Sequence, residues 1–367
     1  MTSSMMELLL PVMISLVVAW GVAAWVCRRA EYLRLVDPPN HRSSHVAPTP
    51  RGGGLGIVLA GVVSGSWLVL AQASGDVRFF VVLVLSLLIA VVGLWDDIRS
   101  LPAIVRFGVH VAVCGGLLVV LGGLPVGIVS DKSAFWFLPS ADGGVFGGWI
   151  VSAFLLLAGV WWINLFNFMD GIDSLAGQQA VFMLVAAAVL SFFAHPAAAS
   201  HPVWLWMLCL AAATVGFLFL NWPPARIFMG DVGSTYLAFM IVFFSLATVR
   251  AGWLGYPAWL ILAAVFVADA TVTLLRRMGH GERWHEAHRT HAYQLLARRL
   301  GGHRPVTLLA VGINIFWLAP LAWVCLDVLP AWEWGLVGLA YAPLVLGSVF
   351  VGAGRREYGS RSSKGTG

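Results

Sequence analysis

The stretch VRFFVVLVLSLLIAVVGLWDDIRS, residues 77–100, decides the fold class. It is mainly apolar up to Leu94, and two adjacent aspartates, Asp96 and Asp97, follow shortly afterwards. A helix needs about 20 mainly apolar residues to cross a bilayer, so we predict a membrane-spanning helix over residues 78–95. Two carboxylates at the end of such a helix would lie at the membrane surface.

The composition extends this interpretation to the whole chain. Of its 367 residues, 60% are hydrophobic and 11% are charged, against about 45–50% and about 25% in soluble domains. So few charges would not cover the surface of a water-exposed globule, which argues against a soluble enzyme, a disordered chain and a nucleic-acid-binding protein. The sequence therefore predicts an all-α, polytopic integral membrane protein.

Eleven apolar segments are long enough to span a membrane. They are residues 5–27, 54–73, 78–95, 103–123, 148–167, 175–194, 203–221, 234–250, 256–275, 306–326 and 332–352. The basic residues Arg28 and Arg29 follow the first segment, so we expect an uncleaved span there and no secretion signal. We expect a single transmembrane domain over residues 1–353 and a disordered cytoplasmic tail over 354–367.

The positive charges predict the orientation. The chain carries 22 Lys and Arg against 17 Asp and Glu, a net charge of +5. If the N-terminus is outside and the spans alternate, 19 of the 22 basic residues fall on the cytoplasmic side, where Lys and Arg collect. We therefore expect the N-terminus outside and the C-terminus inside the cell.

The acidic residues share one side of this topology. Five of them fall in cytoplasmic loops or at cytoplasmic helix ends: Asp96, Asp97, Asp170, Asp173 and Asp231. Asp269 lies inside a predicted span, near its cytoplasmic end. Carboxylates at membrane depth usually face a cavity, a cation or a partner charge, so this grouping indicates a shared cationic ligand.

Two polar motifs close predicted spans. In GLWDDIRS (93–100), the acidic pair is followed by Arg106 at the start of the next span, which favours an anion site over a solvated loop. In NLFNFMDGID (164–173), Gly171 predicts a helix end near Met169, with polar side chains around one pocket. Asn and Asp oxygens are ligands that Mg²⁺ prefers; the alternative is an ordinary capped helix end.

Three further motifs suit a phosphorylated ligand. In NWPPARIFMGDVGS (221–234), Asp231 either binds a ligand or caps the eighth span, and Phe228 either stacks on a base or is an ordinary interfacial aromatic. The basic, His-rich stretch 276–304 favours phosphate recognition over zinc. The glycines of HRSSHVAPTPRGGG (41–54) can present backbone N–H groups to an anion, although a flexible loop explains them equally well.

In this order, the motifs GLWDDIRSLPAIVRF, NLFNFMDGID, NWPPARIFMGDVGS, HRTHAYQ (288–294) and HRSSHVAPTPRGGG resemble the polyprenyl-phosphate N-acetylhexosamine-1-phosphate transferases of glycosyltransferase family 4. The HRTHAYQ form is most similar to the O-antigen-initiating subgroup. The resemblance implies transfer of GlcNAc, FucNAc or QuiNAc 1-phosphate from a UDP-sugar to undecaprenyl phosphate, with release of UMP. It also implies a bacterial inner-membrane enzyme whose active site faces the cytoplasm, with a homodimer as one arrangement.

The resemblance assigns roles to residues of this chain. It implies a catalytic acidic pair, nucleotide contacts, phosphate contacts, and Mg²⁺, with Mn²⁺ as an alternative. These roles fall on Asp96 and Asp97 (catalytic), Asp231 and Asn167 (metal), Phe228, Asp173 and Asn221 (uracil and nucleotide), Arg106, His291, Arg289 and His288 (phosphates), and Asp170, Arg51 and Asp269 (support). The chain departs from the family pattern at Ser174, where DGIDGLA has Gly, and at Tyr293 and Gln294, which replace histidines.

The chemistry of the acidic pair stays open at this point. A phosphomonoester is already largely dianionic at pH 7, so a carboxylate gains little by removing its last proton. We expect Asp96 or Asp97 to orient the nucleophile or help hold metal, with general base second and covalent catalysis third. The competing functions are a transporter of an anionic substrate and a phospho-MurNAc-pentapeptide transferase of peptidoglycan synthesis.

Overall fold

The computed structural model describes residues 3–38, 48–71, 76–121, 144–282 and 289–355. Nearly all of these residues are helical. Several expectations lie wholly or partly outside the described residues: His288, the first part of the 41–54 motif, part of the basic stretch 276–304, the last residues of the predicted spans 54–73 and 103–123, and residues 356–367 of the predicted tail.

Fourteen α-helices follow one another along the described residues. They are α1 (Ser3–Leu33), α2 (Gly54–Ala71), α3 (Val77–Ile98), α4 (Ala103–Val120), α5 (Gly144–Met169), α6 (Leu175–Ala194), α7 (Pro202–Asn221), α8 (Asp231–Arg250), α9 (Tyr256–Leu262), α10 (Ala264–Gly279), α11 (Ala292–Arg299), α12 (His303–Ile313), α13 (Ala319–Trp323) and α14 (Glu333–Val351). Two short strands, β1 (Val36–Asp37) and β2 (Thr49–Pro50), pair antiparallel between α1 and α2.

Ten helical spans of the described chain are long and apolar enough to cross a membrane, and the bent pair α9–α10 makes an eleventh. A π-helical segment, Asn314–Leu318, joins α12 and α13 into one of these spans. The predicted all-α polytopic fold with about eleven spans is therefore confirmed. The orientation of the termini stays a prediction.

Local sequence explains several helix boundaries. Helix α3 begins after Asp76, whose side chain accepts a hydrogen bond from the backbone N–H of Arg78. Helix α7 begins with Pro202 in its first turn, where a missing N–H costs nothing. Helix α5 ends at Met169, as the sequence predicts from Gly171. These boundaries place polar side chains at the ends of apolar helices.

Helix α8 lies at the centre of the bundle. In its span 83% of the residues are buried, and α8 packs against α2, α3 and α5. Its large buried side chains include Tyr236, Phe239 and Phe243. By contrast, Trp25 of α1 and Phe350 of α14 are exposed, as expected for side chains that face lipid. The packing of α8 in the core therefore holds Asp231, its first residue, in position.

The predicted span over residues 256–275 is a broken one, because α9 and α10 meet at an angle of 75°. The break leaves the carbonyl of Leu262 to accept a hydrogen bond from the buried Gln179 Nε2 of α6, at 2.9 Å. Broken helices are tolerated at membrane depth where neighbouring side chains satisfy the freed backbone groups. Because of the break, α10 runs in a different direction from α9, and it contacts α11.

The glycines of the 41–54 motif pack backbone against backbone. The N–H of Gly53 donates to the carbonyl of Phe228, and that of Gly54 to the carbonyl of Met229, both at 2.9 Å. These two donors are engaged within the protein, so the expectation that they present N–H groups to an anion is wrong. Instead, they bring α2 to within touching distance of Gly233 in α8.

We predict that Gly54→Ala strongly destabilises the protein. An added Cβ would overlap the Cα of Gly233 and lie 2.5 Å from its nitrogen; since both are backbone atoms, relief requires moving a helix. We expect a loss of about 3 kcal/mol or more, beyond ordinary overpacking, measured by thermal unfolding in detergent. Gly21→Ala in α1 is the control, because its Cβ would meet open space; equal unfolding temperatures for the two variants would contradict the prediction.

Candidate active site

The carboxylate of Asp97 joins the end of α3 to the start of α8. Its two oxygens accept hydrogen bonds from the backbone N–H groups of Asp231 and Val232, each at 3.0 Å. Arg51 donates to the backbone carbonyl of Asp97, and the Asp97 side chain is buried. A carboxylate at a helix N-terminus satisfies exposed N–H groups and complements the helix dipole. Asp97 therefore fixes the position of Asp231.

Asp96, Arg106 and Asp231 form a second contact between helices. Asp96 accepts a hydrogen bond from Arg106 Nη1 at 2.8 Å and one from the backbone N–H of Leu101 at 2.6 Å. The same Arg106 nitrogen lies 3.6 Å from an oxygen of Asp231. A single guanidinium thus bridges two carboxylates. Arg106 therefore lies beside the acidic pair, as its position at the start of the next span predicts.

Asn167 brings α5 to the same point. Its Nδ2 donates to Asp231 Oδ1 and to Ser234 Oγ, both at 2.9 Å. Asn164, from the same motif, instead donates to the carbonyl of Val160 at 2.7 Å. The structure therefore separates the two asparagines of NLFNFMDGID: Asn167 contacts Asp231, whereas Asn164 contacts Val160 of its own helix and His110 of α4.

These contacts surround a cavity of about 670 Å³ at one end of the bundle. Its polar lining comes from β1, α3, α5, α7, α8, α11, α12 and the loops beside them: Asp37, Arg51, Asp97, Asn167, Asp170, Asp173, Asn221, Asp231, Arg289, Gln294, Arg298 and His303. Phe228 and Gly230 also line it. Most of the site residues expected from the sequence therefore meet in one place.

Three of the expected nucleotide residues line the cavity, each in a different way. Asp173 lies 3.0 Å from His303 Nδ1, and its other oxygen accepts the N–H of Ala225 at 3.0 Å. Asn221 uses its side chain to join two loops, accepting from the N–H of Ser174 and donating to the carbonyl of Ile227, both at 2.8 Å. Phe228 lines the wall beside Met229 and Gly230.

Ser174 adopts a left-handed backbone conformation with φ 63°. Glycine takes this conformation without strain, which explains why the family pattern has Gly at this position. Here the serine hydroxyl donates to the carbonyl of Asn221 at 2.9 Å. The departure from the pattern is thus accommodated by a specific hydrogen bond.

Four expected residues are placed differently from the cavity-lining ones. Asp96 and Arg106 pair with each other, and Arg106 also contacts Asp231. His291 and Asp269 are buried and pair with each other, with His291 Nδ1 3.4 Å from Asp269 Oδ1. Arg289, with which the described chain resumes, lines the cavity. Phosphate binding by His291 and Arg289 stays a prediction.

The cavity lining also contains residues that the sequence reasoning missed, notably Asp37, Arg298 and His303. His303 stands in the basic stretch 276–304, but its spacing gives no indication of the contact with Asp173, 130 residues earlier. Asp37 reaches the site through the pairing of β1 with β2, for which two-residue strands leave no periodic signal. A three-dimensional structure was needed to find all three.

The donor set fits a hard divalent cation. Asp231 presents carboxylate oxygens beside the amide of Asn167, and Asp97 and Asp170 line the same cavity. In the described part of the chain, no three His, Cys, Asp or Glu side chains are grouped closely enough to enclose a metal. Mg²⁺ usually takes only one or two protein carboxylates and completes its shell with water and phosphate oxygens, so two ligands suffice.

The pKa of Asp170 reflects the surplus of negative charge in the cavity. Burial, together with the carboxylates of Asp231, Asp97 and Asp173, raises the pKa of Asp170 well above its ordinary value. Like charges in one low-dielectric site disfavour ionisation of each other. A cation or a donor-rich ligand in the cavity would relieve this repulsion.

We predict that Asp170→Asn stabilises the protein in chelator at pH 8. A carboxyl whose pKa is raised in the folded state stabilises that state at low pH, and this contribution is lost as pH rises through the folded pKa. The variant should therefore unfold a few degrees higher than wild type at pH 8, with a smaller difference at pH 5. Asp76→Asn should instead lower the unfolding temperature by the same amount at pH 5 and pH 8, because hydrogen bonding to Arg78 lowers the pKa of Asp76 and its stabilising contribution is lost only at more acidic pH. A less stable Asp170→Asn protein at pH 8 would contradict the prediction.

Comparison with known proteins identifies the family of this chain. A profile described as glycosyl transferase family 4 matches residues 79–249. A protein of Bacillus subtilis (strain 168), named "Probable undecaprenyl-phosphate N-acetylglucosaminyl 1-phosphate transferase", is 31% identical, and the match covers 75% of this chain and 73% of that protein. The chain belongs to glycosyl transferase family 4.

Two further family-4 relatives carry related names. The "Decaprenyl-phosphate N-acetylglucosaminephosphotransferase" of Mycobacterium tuberculosis (strain ATCC 25618 / H37Rv) is 30% identical over 78% of this chain and 76% of its own length. The "Phospho-N-acetylmuramoyl-pentapeptide-transferase" of Geobacillus kaustophilus (strain HTA426) is 30% identical over 56% of this chain and 62% of its own length. The family-4 profile includes the Asp96, Asp97, Asn167 and Asp231 cluster but ends before α10 and α11.

Proposed function

We propose that this family-4 protein transfers an N-acetylaminosugar 1-phosphate from a UDP-sugar to undecaprenyl phosphate and releases UMP. Sugar-phosphate transfer to a polyprenyl phosphate is supported by the names of the relatives from Bacillus and Mycobacterium. One structural observation carries the proposal: Asp97, Asn167 and Asp231, from three helices, meet at a polar cavity at one end of an apolar bundle. This is the place where a lipid phosphate and a soluble nucleotide can meet.

The site suits a reaction between two anions. Charge neutralisation and alignment provide most of the catalysis in phosphoryl transfer. Asp231 and Asn167 are the residues that would hold Mg²⁺, with Mn²⁺ as an alternative, and the cation would stabilise the leaving UMP. Arg106 contacts both Asp96 and Asp231, so its guanidinium offsets their repulsion when substrate phosphates arrive.

The hydrogen bonds of the acidic pair support an orienting role. Both oxygens of Asp97 already accept backbone N–H groups, and those of Asp96 accept from Leu101 and Arg106. These bonds direct the oxygens of both carboxylates toward donors of the protein itself. We therefore propose that the pair holds Asp231 and Arg106 in place, ahead of general base catalysis and covalent catalysis.

The finer assignment names the sugar, pathway and compartment. We propose GlcNAc, FucNAc or QuiNAc as the sugar, O-antigen or cell-envelope polysaccharide initiation as the role, and the cytoplasmic face of the bacterial inner membrane as the location. The N-acetylglucosaminyl names of two relatives favour GlcNAc among these. A homodimer stays a prediction. A transporter fits less well, because the polar cavity lies at one end of the bundle and not at mid-depth.

The test is a reconstituted transfer reaction. Purified protein in nanodiscs is supplied with undecaprenyl phosphate and, separately, with UDP-GlcNAc, UDP-FucNAc, UDP-QuiNAc and UDP-MurNAc-pentapeptide. We expect UMP release with one of the first three, its loss in chelator, and its return with Mg²⁺. UMP release with the pentapeptide substrate alone would establish the peptidoglycan alternative, and no release with any donor would refute the transferase.

The same preparation separates direct from covalent transfer. Exchange of labelled UMP into UDP-sugar in the absence of undecaprenyl phosphate requires an intermediate on the protein. We expect no such exchange, because both members of the acidic pair are occupied by protein donors. Exchange without lipid would overturn the proposed orienting role.

A further inference from the structure

One wall of the cavity is built by a short segment outside the family-4 profile match. Helix α11 contributes Gln294 and Arg298, the first residue of α12 contributes His303, and Arg289 lies just before α11. Arg298 donates to the backbone carbonyl of Arg289 at 2.7 Å, so the two arginines are held together. An eight-residue helix is too short to be stable alone, and its position must come from tertiary contacts.

Asp269 supplies the main contact at the start of α11. Its Oδ1 accepts the backbone N–H of Ala292 at 2.8 Å, and its Oδ2 accepts that of Tyr293 at 3.0 Å. His291 Nδ1 lies 3.4 Å from Oδ1, and Thr273 Oγ1 donates to the same oxygen at 3.0 Å. Asp269 is 5% exposed. A buried carboxylate is stable only when donors surround it, and here the N-terminus of α11 provides two of them.

A second contact joins α11 to the end of α5. The hydroxyl of the buried Tyr293 donates to the carbonyl of Phe168 at 2.9 Å, one residue from the end of α5. The same hydroxyl lies against Gly171, where any Cβ would overlap it. Tyr293 therefore sets the distance between α11 and the loop that carries Asp170 and Asp173.

We propose that Asp269 is a positioning residue for the nucleotide-sugar substrate: it anchors the N-terminus of α11 to the broken span, and so presents Arg298 and Arg289 to the diphosphate of that substrate. The inference rests on the proposed function. Asp269 lies on α10, five residues after its start at Ala264, and its two oxygens accept the first backbone N–H groups of α11. Arg298 and Arg289 line the same cavity as Asp97 and Asp231, and two cations in that cavity suit a substrate with two linked phosphates.

Replacement by asparagine tests the carboxylate without changing its size. The amide of Asp269→Asn has one accepting oxygen, so one N–H of α11 loses its partner and the amide nitrogen faces another donor. We expect the KM for UDP-sugar and the Kd for UMP to rise about tenfold, which corresponds to loss of one charge-assisted hydrogen bond. The KM for undecaprenyl phosphate should stay within about twofold, since the acidic pair and Arg106 are untouched.

A merely structural role gives a different pattern. A variant that folds less well contains fewer active molecules, which lowers the apparent kcat but leaves both KM values and the UMP Kd unchanged. Tyr293→Phe should change the same two donor constants in the same direction but less, because it removes only the contact with Phe168. Thr273→Val is the matched control: it removes a bond to Asp269 that does not involve α11, and we expect wild-type constants.

Hydrogen exchange separates failure of this inference from failure of the proposed function. In Asp269→Asn, backbone amides of residues 289–302 should exchange faster than in wild type, while those of α8 should not. Unchanged exchange and unchanged UMP affinity in this variant would refute the positioning role even if wild-type protein is an active transferase. Faster exchange in the variant of a wild-type protein that transfers no sugar would refute the proposed function and leave the anchor intact.

Discussion

Asp231→Asn is expected to abolish UMP release. Asp231 is the first residue of α8. Its side chain contacts Asn167 and Arg106, and its backbone N–H donates to Asp97. The asparagine keeps the size of the side chain but removes the charge that a divalent cation requires. Removing one such electrostatic element reduces kcat by about 100-fold to 1000-fold in other enzymes, and more when it is a metal ligand.

The measurement is steady-state UMP release in nanodiscs at saturating UDP-sugar, over a range of Mg²⁺ concentrations. Asp76→Asn is the control, because Asp76 lies at the other end of α3 and pairs with Arg78; it should retain wild-type turnover. If Asp231→Asn turns over at the wild-type rate, the assignment of Asp231 to the metal is wrong. If extra Mg²⁺ restores the rate, Asp231 contributes affinity only.

Asp97→Asn is expected to reduce both turnover and stability. Its carboxylate accepts two adjacent backbone N–H groups of α8, and an asparagine can accept only one. A buried N–H left without a partner costs about 1–3 kcal/mol, and the displaced Asp231 would reduce kcat by about 100-fold or more. Thermal unfolding and UMP release on the same preparation measure the two effects.

Asp96→Asn provides the comparison for this prediction. Its remaining oxygen can still accept the N–H of Leu101, and only the charge facing Arg106 is lost. We expect a smaller loss of stability than in Asp97→Asn. If Asp97→Asn keeps the wild-type unfolding temperature yet loses all turnover, the carboxylate takes part in the chemistry directly, and the orienting role proposed for it is wrong.

Much of the fold could be predicted because the bilayer imposes its own length and polarity. Ten continuous spans and one broken span match eleven apolar segments, and the end of α5 follows from Gly171. The break between α9 and α10 was not predictable, since residues 256–268 contain no charged side chain and no glycine to mark it. The stabilising partner of the break, Gln179, lies 83 residues away on α6.

The candidate site could be predicted as a set of residues but not as a geometry. The motifs place Asp97, Asn167 and Asp231 at helix ends on one side of the membrane, and the structure brings them together. The bond from the backbone of Asp231 to Asp97 spans 134 residues, and no local pattern specifies it. Likewise, the pairing of His291 with Asp269 joins α10 to the start of α11, and no spacing in the sequence indicates it.

The glycine contacts between α2, α3 and α8 constrain how the protein adapts to different bilayers. Gly54 touches Gly233, and Gly93 lies against the backbone of Asp231, so these helices have a fixed register at the cavity end. Membranes differ in thickness by a few ångströms, and helices adjust by lengthening, tilting or kinking. Any such adjustment must therefore occur at the ends of these helices that lie away from the cavity. The helix ends that line the cavity stay in place while the hydrophobic length of the protein varies.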